Sequence, residues 1–399
     1  MKLYIFLSFL IMQSQINNAK VLINQPTPEE QKKHAAQQYL YNIITNEHSN
    51  QSSINSAIQQ GADINAPING QYPLVLAVLM NHSKVVTGLI NNGANVQMNY
   101  QHYPLAFYAI KKNYFEVADA LIAKGAPFAG SINGRDVFTH IAMIANTFTN
   151  QQYQEVNAAL KLLATISKTG YDTAQSLRAK DLAHNPWYIA LKDNNQKMIS
   201  FFLNQIPYDY HKLANHADPN SVFTFSDGSS LTPLLIAIDN YVNISKTQSN
   251  LPDTKAFEDL IKAGAQLDQK AKPFDKKEHT ALSYALINNA DGMLIDFLLK
   301  NKASLQEAIT LLLQNGFSPN YAIPYKSYNF KIPLLLKAIA QKNYLSVKKL
   351  VEAGADIDSP HEVRLDLQFG DKKLFTPLQA AIKIGDADII NYLIQKGAE

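Results

Sequence analysis

The sequence predicts an all-α fold that is built from one short helix-turn-helix unit repeated along the chain. The clearest unit is Tyr72–Val96, where Pro73 suits the first helical turn because its missing N–H is not needed there. Asn81 follows eight residues later, and Asn tolerates the positive φ that ends a helix better than most residues do. A second apolar helical stripe then runs to Gly93. Neither helix is long enough to be stable alone, so the unit needs neighbours of its own kind.

The same spacing recurs and supplies those neighbours. Pro377 repeats the pattern of Pro73 in full, with Ala381, Gly385 and Gly397 at the same offsets. The separations between the units are unequal, which indicates insertions and degenerate units in the middle of the chain. The other units begin at Pro104, Phe138, Pro186, Pro233, Ala281 and Pro333.

Several units also share an opening TPL or a closing that starts with Gly-Ala. These motifs are TPL at Thr232–Leu234 and Thr376–Leu378, and GADIN, GANV, GAQL and GADID at Gly61–Asn65, Gly93–Val96, Gly264–Leu267 and Gly354–Asp358. The motifs resemble the ankyrin repeat, whose period is about 33 residues. The resemblance covers roughly residues 50 to 399 and implies a solenoid of roughly eight to nine units. It also implies a concave face and finger-like loops that bind another protein.

We divide the chain into three predicted segments. Residues 1–19 are predicted to be a signal peptide, because Lys2 precedes an apolar run and Ala19 offers a small residue at the cut. Residues 20–68 are predicted to be N-terminal capping helices and the first repeat. Residues 69–399 are the predicted repeat array, degenerate at about 138–225 and 301–325. The competing interpretation of the first segment is a buried amphipathic helix.

Composition and charge exclude several classes of protein. The chain has a net charge of +3 and no basic block, so we expect no nucleic-acid partner. It contains no cysteine, which excludes disulfide bonds, zinc sites made from cysteine pairs and a cysteine nucleophile. Beyond Ala19 no segment is apolar over a membrane-spanning length, so we expect no integral membrane segment after signal cleavage.

The sequence offers few candidates for catalysis or metal binding. It contains no GxxxxGK[ST] or GxGxxG phosphate-binding motif, no GxSxG nucleophile motif and no HExxH zinc motif. His211, His216 and Asp218 lie close together, but three such side chains in a polar loop seldom hold an ion. We therefore predict no catalytic residues, no cofactor and no metal. The alternative is an enzyme whose site lies in the degenerate residues 146–225.

The predicted binding residues are aromatic, histidine and basic side chains in the loops between helix pairs. Aromatic and Arg side chains carry much of the binding energy at protein interfaces. For the densest group, Tyr325–Lys331, we weigh exposure for binding and burial under a neighbouring loop equally. Tyr72, Tyr103 and Phe375 lie beside the first helical position, and we expect them to be packed away. The predicted binding residues are Tyr100, His102, Arg135, Lys276, Lys277, Tyr325, Tyr328, Phe330, Lys331, Phe369, Lys372 and Lys373.

The sequence thus predicts a non-catalytic, monomeric module or scaffold that binds another protein of unknown identity. A signal peptide on a repeat array that is rich in Asn, Gln, Ile and Lys resembles exported bacterial ankyrin proteins. That resemblance implies a periplasmic or secreted protein, with a host protein as one candidate target. The alternative is a cytoplasmic scaffold whose first helix only imitates a signal peptide.

Overall fold

Pairs of short helices form most of the regular structure of the chain. The computed structural model describes residues 12–13, 27–46, 48–148, 152–204, 216–247, 252–363 and 373–399. The chain divides into two units. The N-terminal unit holds Met1–Val137 and Gln154–Thr165, and the C-terminal unit holds Phe138–Tyr153 and Ile166–Glu399. Of the predicted signal peptide, only Met12 and Gln13 are among the described residues.

Most helices are two or three turns long. The first ten are α1 (Pro28–Thr45), α2 (Gln51–Gln59), α3 (Pro73–Leu79), α4 (Ser83–Asn91), α5 (Leu105–Lys111), α6 (Phe115–Ile122), α7 (Val137–Thr147), α8 (Tyr153–Lys168), α9 (Thr173–Leu177) and α10 (Pro186–Lys192). The others are α11 (Gln196–Phe202), α12 (Pro233–Thr247), α13 (Lys255–Lys262), α14 (Ala281–Ile287), α15 (Gly292–Lys300), α16 (Leu305–Gln314), α17 (Leu334–Ala340), α18 (Tyr344–Glu352), α19 (Pro377–Ile384) and α20 (Ala387–Gln395).

Short antiparallel hairpins connect some of the helix pairs. Each consists of two antiparallel strands, and the second strand of each lies just before a helix. The strand pairs are β1 (Asn99–Tyr100) with β2 (Tyr103–Pro104), β3 (Ser131–Ile132) with β4 (Arg135–Asp136), β5 (Phe223–Thr224) with β6 (Ser230–Leu231), β7 (Ala322–Tyr325) with β8 (Phe330–Pro333), and β9 (His361–Val363) with β10 (Lys373–Phe375).

Local sequence sets where the helices begin and end. Thr280 and Thr376 cap α14 and α19, because each hydroxyl accepts an N–H of the first helical turn. After the first helix of a pair the chain takes positive φ, at 58° for Asn81, 61° for Asn113 and 57° for Asn289. Asn reaches this conformation at low cost, so the predicted stop at Asn81 is confirmed.

In the N-terminal unit the helices pack as pairs and then against the next pair. Helix α3 contacts its partner α4 and the next first helix α5, while α4 contacts the next second helix α6. These contacts leave Leu74, Val78 and Leu89 fully inaccessible to solvent. Burial of such a side chain stabilises the folded chain by about 1.5–3 kcal/mol. The core of this unit therefore lies between successive helix pairs, as a repeat structure requires.

The C-terminal unit continues the same packing with one departure. First helices α10, α12 and α14 contact one another in order, and α17 contacts α19. Trp187 is fully buried and meets Phe202 edge-to-face, with ring centroids 6.3 Å apart. The departure is α16, a single helix that is followed by Gly316 at positive φ and contacts both α14 and α18.

The last helix pair keeps the residue spacing of the first full pair but not its burial. Ile382 and Ile394 stand at the same offsets from Pro377 as Val78 and Ile90 stand from Pro73. Val78 is 0% and Ile90 8% exposed, because the next pair covers them, whereas Ile382 and Ile394 are 57% and 56% exposed. The last pair therefore presents an apolar strip to solvent.

The predicted all-α repeat fold is confirmed, and the hairpins are small additions to it. The predicted segment boundaries at residues 19 and 68 stay predictions. Among the described residues, no helix is both long and apolar enough to cross a membrane.

Candidate functional site

The predicted binding residues lie on several separate hairpins and turns rather than in one place. Within the N-terminal unit, Tyr100 is on β1, His102 is in the turn that follows it, and Arg135 is on β4. The others belong to the C-terminal unit. A turn closed by a bridge between Ala271 and His279 carries Lys276 and Lys277. The β7–β8 hairpin carries Tyr325, Tyr328, Phe330 and Lys331, and β10 begins with Lys373. Two further residues, Phe369 and Lys372, lie outside the described residues.

Tyr325 does not lie on the surface, so its assignment as an exposed binding residue is wrong. Its side chain is 1% exposed, and its ring lies against Gly292, where an added Cβ would come within 2.4 Å of the ring. The hydroxyl donates to the Asp296 carboxylate at 3.0 Å and accepts from Lys337 Nζ at 3.1 Å. Burial raises the pKa of the Tyr325 hydroxyl, and the charge of Asp296 adds to this effect.

The rest of the β7–β8 hairpin is accessible in part. Tyr328 is 45% exposed and Lys331 is exposed, while Phe330 is half-buried and stacks on Tyr325 with ring centroids 5.0 Å apart. The backbone N–H of Lys326 donates to the buried Asp291 carboxylate at 2.7 Å. Tyr325 therefore fixes the base of a hairpin whose tip reaches solvent.

A second group of side chains meets where the β1–β2 hairpin joins α5 in the N-terminal unit. The Tyr103 ring stacks on Phe107 with centroids 5.3 Å apart, and Lys111 Nζ lies 4.7 Å from the Tyr103 ring centroid. Tyr100 meets Tyr108 edge-to-face at 5.2 Å. Lys112 Nζ lies 5.8 Å from the centroid of the Tyr108 ring. We call Tyr100, Tyr103, Tyr108, Lys111 and Lys112 the tyrosine–lysine patch.

Helical spacing explains how the patch forms. Tyr108, Lys111 and Lys112 lie three, six and seven residues after Leu105, the first residue of α5, and so share one face of the helix. The opposite face carries Ala106 and Ile110, which are fully buried. The core side of α5 thus fixes the direction in which the patch faces.

The expectation that Tyr72 and Tyr103 are packed away is wrong. They are 43% and 40% exposed. The Tyr103 ring stacks on Phe107 and has the Lys111 ammonium group over it, and the rest of the side chain is open to solvent. The equivalent Phe375 is half-buried, as expected, and has Lys383 Nζ 5.8 Å from its ring centroid.

The C-terminal unit carries a row of aromatic rings beside a cleft. Tyr188 lies 5.2 Å from Phe223 and 6.0 Å from Phe225 between ring centroids, and Phe225 lies 5.5 Å from Phe274, which is 61% exposed. The cleft next to Phe223 has a volume of about 520 Å³. Its lining mixes apolar side chains with both signs of charge, including Leu177, Val222, Arg178, Lys180 and Asp218.

Asp275, His279 and Ser283 follow one another in the order of a serine-hydrolase charge relay, but the serine is not available for chemistry. His279 Nε2 lies 2.8 Å from Asp275 Oδ2, and Nδ1 lies 3.5 Å from Ser283 Oγ. Ser283 is fully buried, and its hydroxyl donates to the Thr280 carbonyl at 3.1 Å and accepts from the Thr280 N–H at 2.9 Å. The serine therefore caps α14 and is not presented to a substrate.

Within the described residues, no group of three or more His, Cys, Asp or Glu side chains is placed to hold a metal ion. Of the loop residues considered for a cation, His211 lies outside the described residues. His216 Nδ1 is 3.0 Å from the Ala217 carbonyl oxygen, and the Asp218 carboxylate accepts from the Asn220 N–H at 2.9 Å. These contacts use both side chains in local backbone interactions.

Tyr108, Lys111 and Lys112 are not among the predicted binding residues, because those residues were all predicted in the loops between helix pairs. The usable signal was the spacing of polar and aromatic residues on the face of the first helix opposite the core. In α3 the same positions hold Leu76, Leu79 and Met80, of which Met80 is 38% exposed. The first-helix surfaces therefore extend the accessible area beyond the hairpins.

Two segments of the chain match the ankyrin-repeat family. Residues 40–132 match ankyrin repeats in three copies, and residues 373–399 match one ankyrin repeat. The tyrosine–lysine patch lies inside the first matched segment. No curated protein is detectably similar in sequence to the chain.

Solved ankyrin structures are also similar to the chain. The crystal structure of the human ASB11 ankyrin repeat domain is 17% identical, with a TM-score of 0.33, and the match covers 66% of this chain and 98% of that one. The crystal structure of the ankyrin repeat domain of Bcl-3 is 20% identical, with a TM-score of 0.34, and the match covers 66% and 97%.

Proposed function

We propose that this ankyrin-repeat chain is a non-catalytic protein-binding module and that the tyrosine–lysine patch is one of its contact surfaces. Ankyrin repeats are typically protein-interaction modules. The observation that carries the proposal is the patch itself, in which three tyrosine rings and two lysines lie together on β1, β2 and α5.

The chemistry of the patch suits recognition of a protein. Tyrosine rings offer a large contact area with few rotatable bonds, and a lysine ammonium above a ring is attracted to its face. The Tyr100 ring packs on Tyr108 and the Tyr103 ring on Phe107, so these side chains lose less conformational freedom when a partner arrives. The exposed Tyr328 and Lys331 of the β7–β8 hairpin are a second candidate surface of the same kind.

Site-specific photo-crosslinking tests the proposal. A photoreactive phenylalanine replaces Tyr103 in the full chain, and a control chain carries it at Thr87, an exposed position on α4. We expect protein adducts from position 103 and none of the same mass from position 87. Equal adducts from both positions, or adducts from neither, would contradict binding at the patch.

We also propose that the chain is exported and meets its partner outside the cytoplasm, with a host protein as a candidate. The charged start, apolar run and small residue of Met1–Ala19 support this proposal. N-terminal sequencing of the functional protein tests it. A start near Lys20 is expected, whereas an intact Met1 would favour the cytoplasmic scaffold.

A further inference from the structure

We infer that the partner of the tyrosine–lysine patch is an acidic protein segment whose Asp or Glu carboxylates pair with Lys111 and Lys112. The inference rests on the proposed binding function and deepens it by naming the chemistry of the partner.

The first support is the distribution of charge around the patch. From Ile64 to Phe115 the sequence contains no Asp and no Glu, but it contains three lysines, Lys84, Lys111 and Lys112. This stretch includes all of α3, α4, α5 and the β1–β2 hairpin. Every charged side chain on these elements is therefore positive, although the chain as a whole is nearly neutral at +3.

The second support is that the nearest acidic residues in the sequence after this stretch are already engaged elsewhere. Glu116 and Asp119 both lie on α6. The Glu116 carboxylate accepts from the Ser83 hydroxyl at 2.7 Å. Asp119 is 6% exposed and pairs with Lys161 Nζ at 2.9 Å. Neither carboxylate is on the hairpin or on α5, and each is bound to a side chain other than Lys111 or Lys112.

The third support is that the two patch lysines are exposed and that, within the described part of the chain, they contact aromatic rings and form no ion pair. Lys111 lies over Tyr103 and Lys112 over Tyr108, and both ammonium groups belong to exposed residues. A lysine over a tyrosine ring keeps most of its N–H donors free, since the ring face offers no carboxylate. A carboxylate of a partner can therefore bind each ammonium group without displacing an existing ion pair.

The β3–β4 hairpin, which is next along the chain, adds no net negative charge beside the patch. Arg135 and Asp136 are adjacent on β4, so the pair is neutral. The loop ahead of it crosses Phe107, where a Cβ on Gly130 would lie 2.2 Å from the ring. Phe107 also stacks on Tyr103, so the hairpin neighbours the patch without adding a net negative charge.

A polypeptide fits this surface better than a nucleic acid does. Affinity for a nucleic acid comes largely from neutralising several phosphates in a row, which requires a row of cations. Here two lysines share the patch with three tyrosines, and exposed lysine–carboxylate pairs are individually weak. A short segment that alternates carboxylates with apolar or aromatic side chains uses both components of the patch.

A selection experiment on the full chain tests the inference. A random peptide library displayed on phage is selected against the immobilised protein, and the fraction of Asp and Glu in the selected peptides is compared with the input. The most frequent peptide is then synthesised with a fluorescent label, together with a version in which every Asp and Glu is replaced by Asn and Gln. Anisotropy titrations measure the affinity of both.

Matched charge variants assign the contact to the patch. The double variant Lys111→Gln with Lys112→Gln removes two charges from the patch. The control Lys32→Gln with Lys124→Gln removes two exposed charges from the same unit, on α1 and after α6. We expect the patch variant to weaken binding of the acidic peptide about tenfold and the control to change it less than about twofold. We also expect binding to weaken as salt rises, because exposed charges are screened beyond about 8 Å at physiological ionic strength.

The outcomes separate the inference from the proposed function. Selected peptides without an excess of Asp and Glu, or an amide version that binds as tightly as the acid, would overturn the acidic partner while leaving protein binding in place. Equal losses of peptide affinity in the two double variants would show that the peptide does not bind at the patch. A preference for single-stranded DNA over the acidic peptide would also overturn the inference, and the absence of any binding peptide would count against the proposed function itself.

Discussion

Tyr325 and Tyr328 lie three residues apart in one hairpin, yet the first is 1% and the second 45% exposed. The difference comes from Gly292 and Asp296, which give the Tyr325 ring a flat surface and its hydroxyl an acceptor. A variant that lacks both tyrosines would lose stability through Tyr325 and contact surface through Tyr328, and a binding measurement would not separate the two effects. The two positions need separate tests.

The substitution Tyr325→Phe should destabilise the C-terminal unit by about 1–3 kcal/mol, because it removes the buried hydroxyl that hydrogen-bonds both members of the Asp296–Lys337 ion pair. Urea unfolding of the full chain measures the change. Tyr72→Phe is the control, since Tyr72 is 43% exposed and its substitution should change stability by less than about 0.5 kcal/mol. Equal effects would show that the Tyr325 hydroxyl contributes little.

Asp239 provides a residue-scale prediction about pH. The Tyr284 hydroxyl donates to the Asp239 carboxylate at 2.8 Å, but burial outweighs this bond and raises the pKa of Asp239. The folded chain then holds the Asp239 proton more tightly than the unfolded chain does. Its ionisation therefore costs stability, and the cost grows as pH rises from the unfolded pKa through the folded pKa and persists above it.

The substitution Asp239→Asn keeps an oxygen for Tyr284 and removes the charge. We expect it to raise the urea midpoint at neutral pH and to have a smaller effect at acidic pH. Asp227→Asn serves as the opposite case. Hydrogen bonds from the Ser229 hydroxyl and N–H lower the pKa of Asp227, so the ionised carboxylate stabilises the folded chain. This stabilisation is lost as pH falls. A gain from Asp227→Asn, or a loss from Asp239→Asn, would contradict this account.

At the scale of the helix pair, the same sequence position has a different role at different places in the chain. Val78 and Ile382 occupy equivalent positions in α3 and α19, but only Val78 is covered by a following pair. Burial, not residue type, therefore decides what each side chain contributes to stability.

The substitution Val78→Ala should cost about 2 kcal/mol, since it removes buried methyl groups and leaves a cavity. Ile382→Ala deletes more atoms but should cost less than about 0.5 kcal/mol, because the side chain is 57% exposed. Thermal melts of the two variants give the comparison. A larger loss for Ile382→Ala would mean that its strip is covered in solution.

At the scale of the whole molecule, the sequence predicts uneven stability along the chain. The Phe138 and Pro186 units lack a glycine at the expected closing position, and α9 between them has only five residues. Stability in a repeat protein is approximately a sum over units and their neighbour contacts, so weak units open first.

Amide hydrogen exchange should therefore be faster in the helices between residues 138 and 206 than in those between residues 73 and 122. Mass spectrometry of peptic fragments measures both regions in one experiment, so each region is the control for the other. Equal protection in the two regions would count against the assignment of degenerate units.

Sequence periodicity predicted the helix pairs and their stops well, because those features depend on local residues such as Asn81 and Thr376. It predicted the single helix α16 less clearly, since a lone apolar helix and half of a pair share one pattern. The burial of Tyr325 could not be predicted, because Gly292 and Asp296 reach it only through the fold. The tyrosine–lysine patch could not be predicted for a related reason, because the tyrosines of the β1–β2 hairpin meet the lysines at the end of α5 only in the folded chain.

The buried base of the β7–β8 hairpin has a consequence for the entropy of binding. Since Tyr325 and the Asp291 bond to Lys326 hold the base in place, the turn that carries Tyr328 is ordered before any partner arrives. A partner that contacts Tyr328 or Lys331 then loses less binding free energy to loop ordering, which costs about 0.5–1.5 kcal/mol for each side chain immobilised. Tyr325 therefore strengthens binding at Tyr328 without contacting the partner, because it reduces the conformational entropy that the hairpin loses on binding.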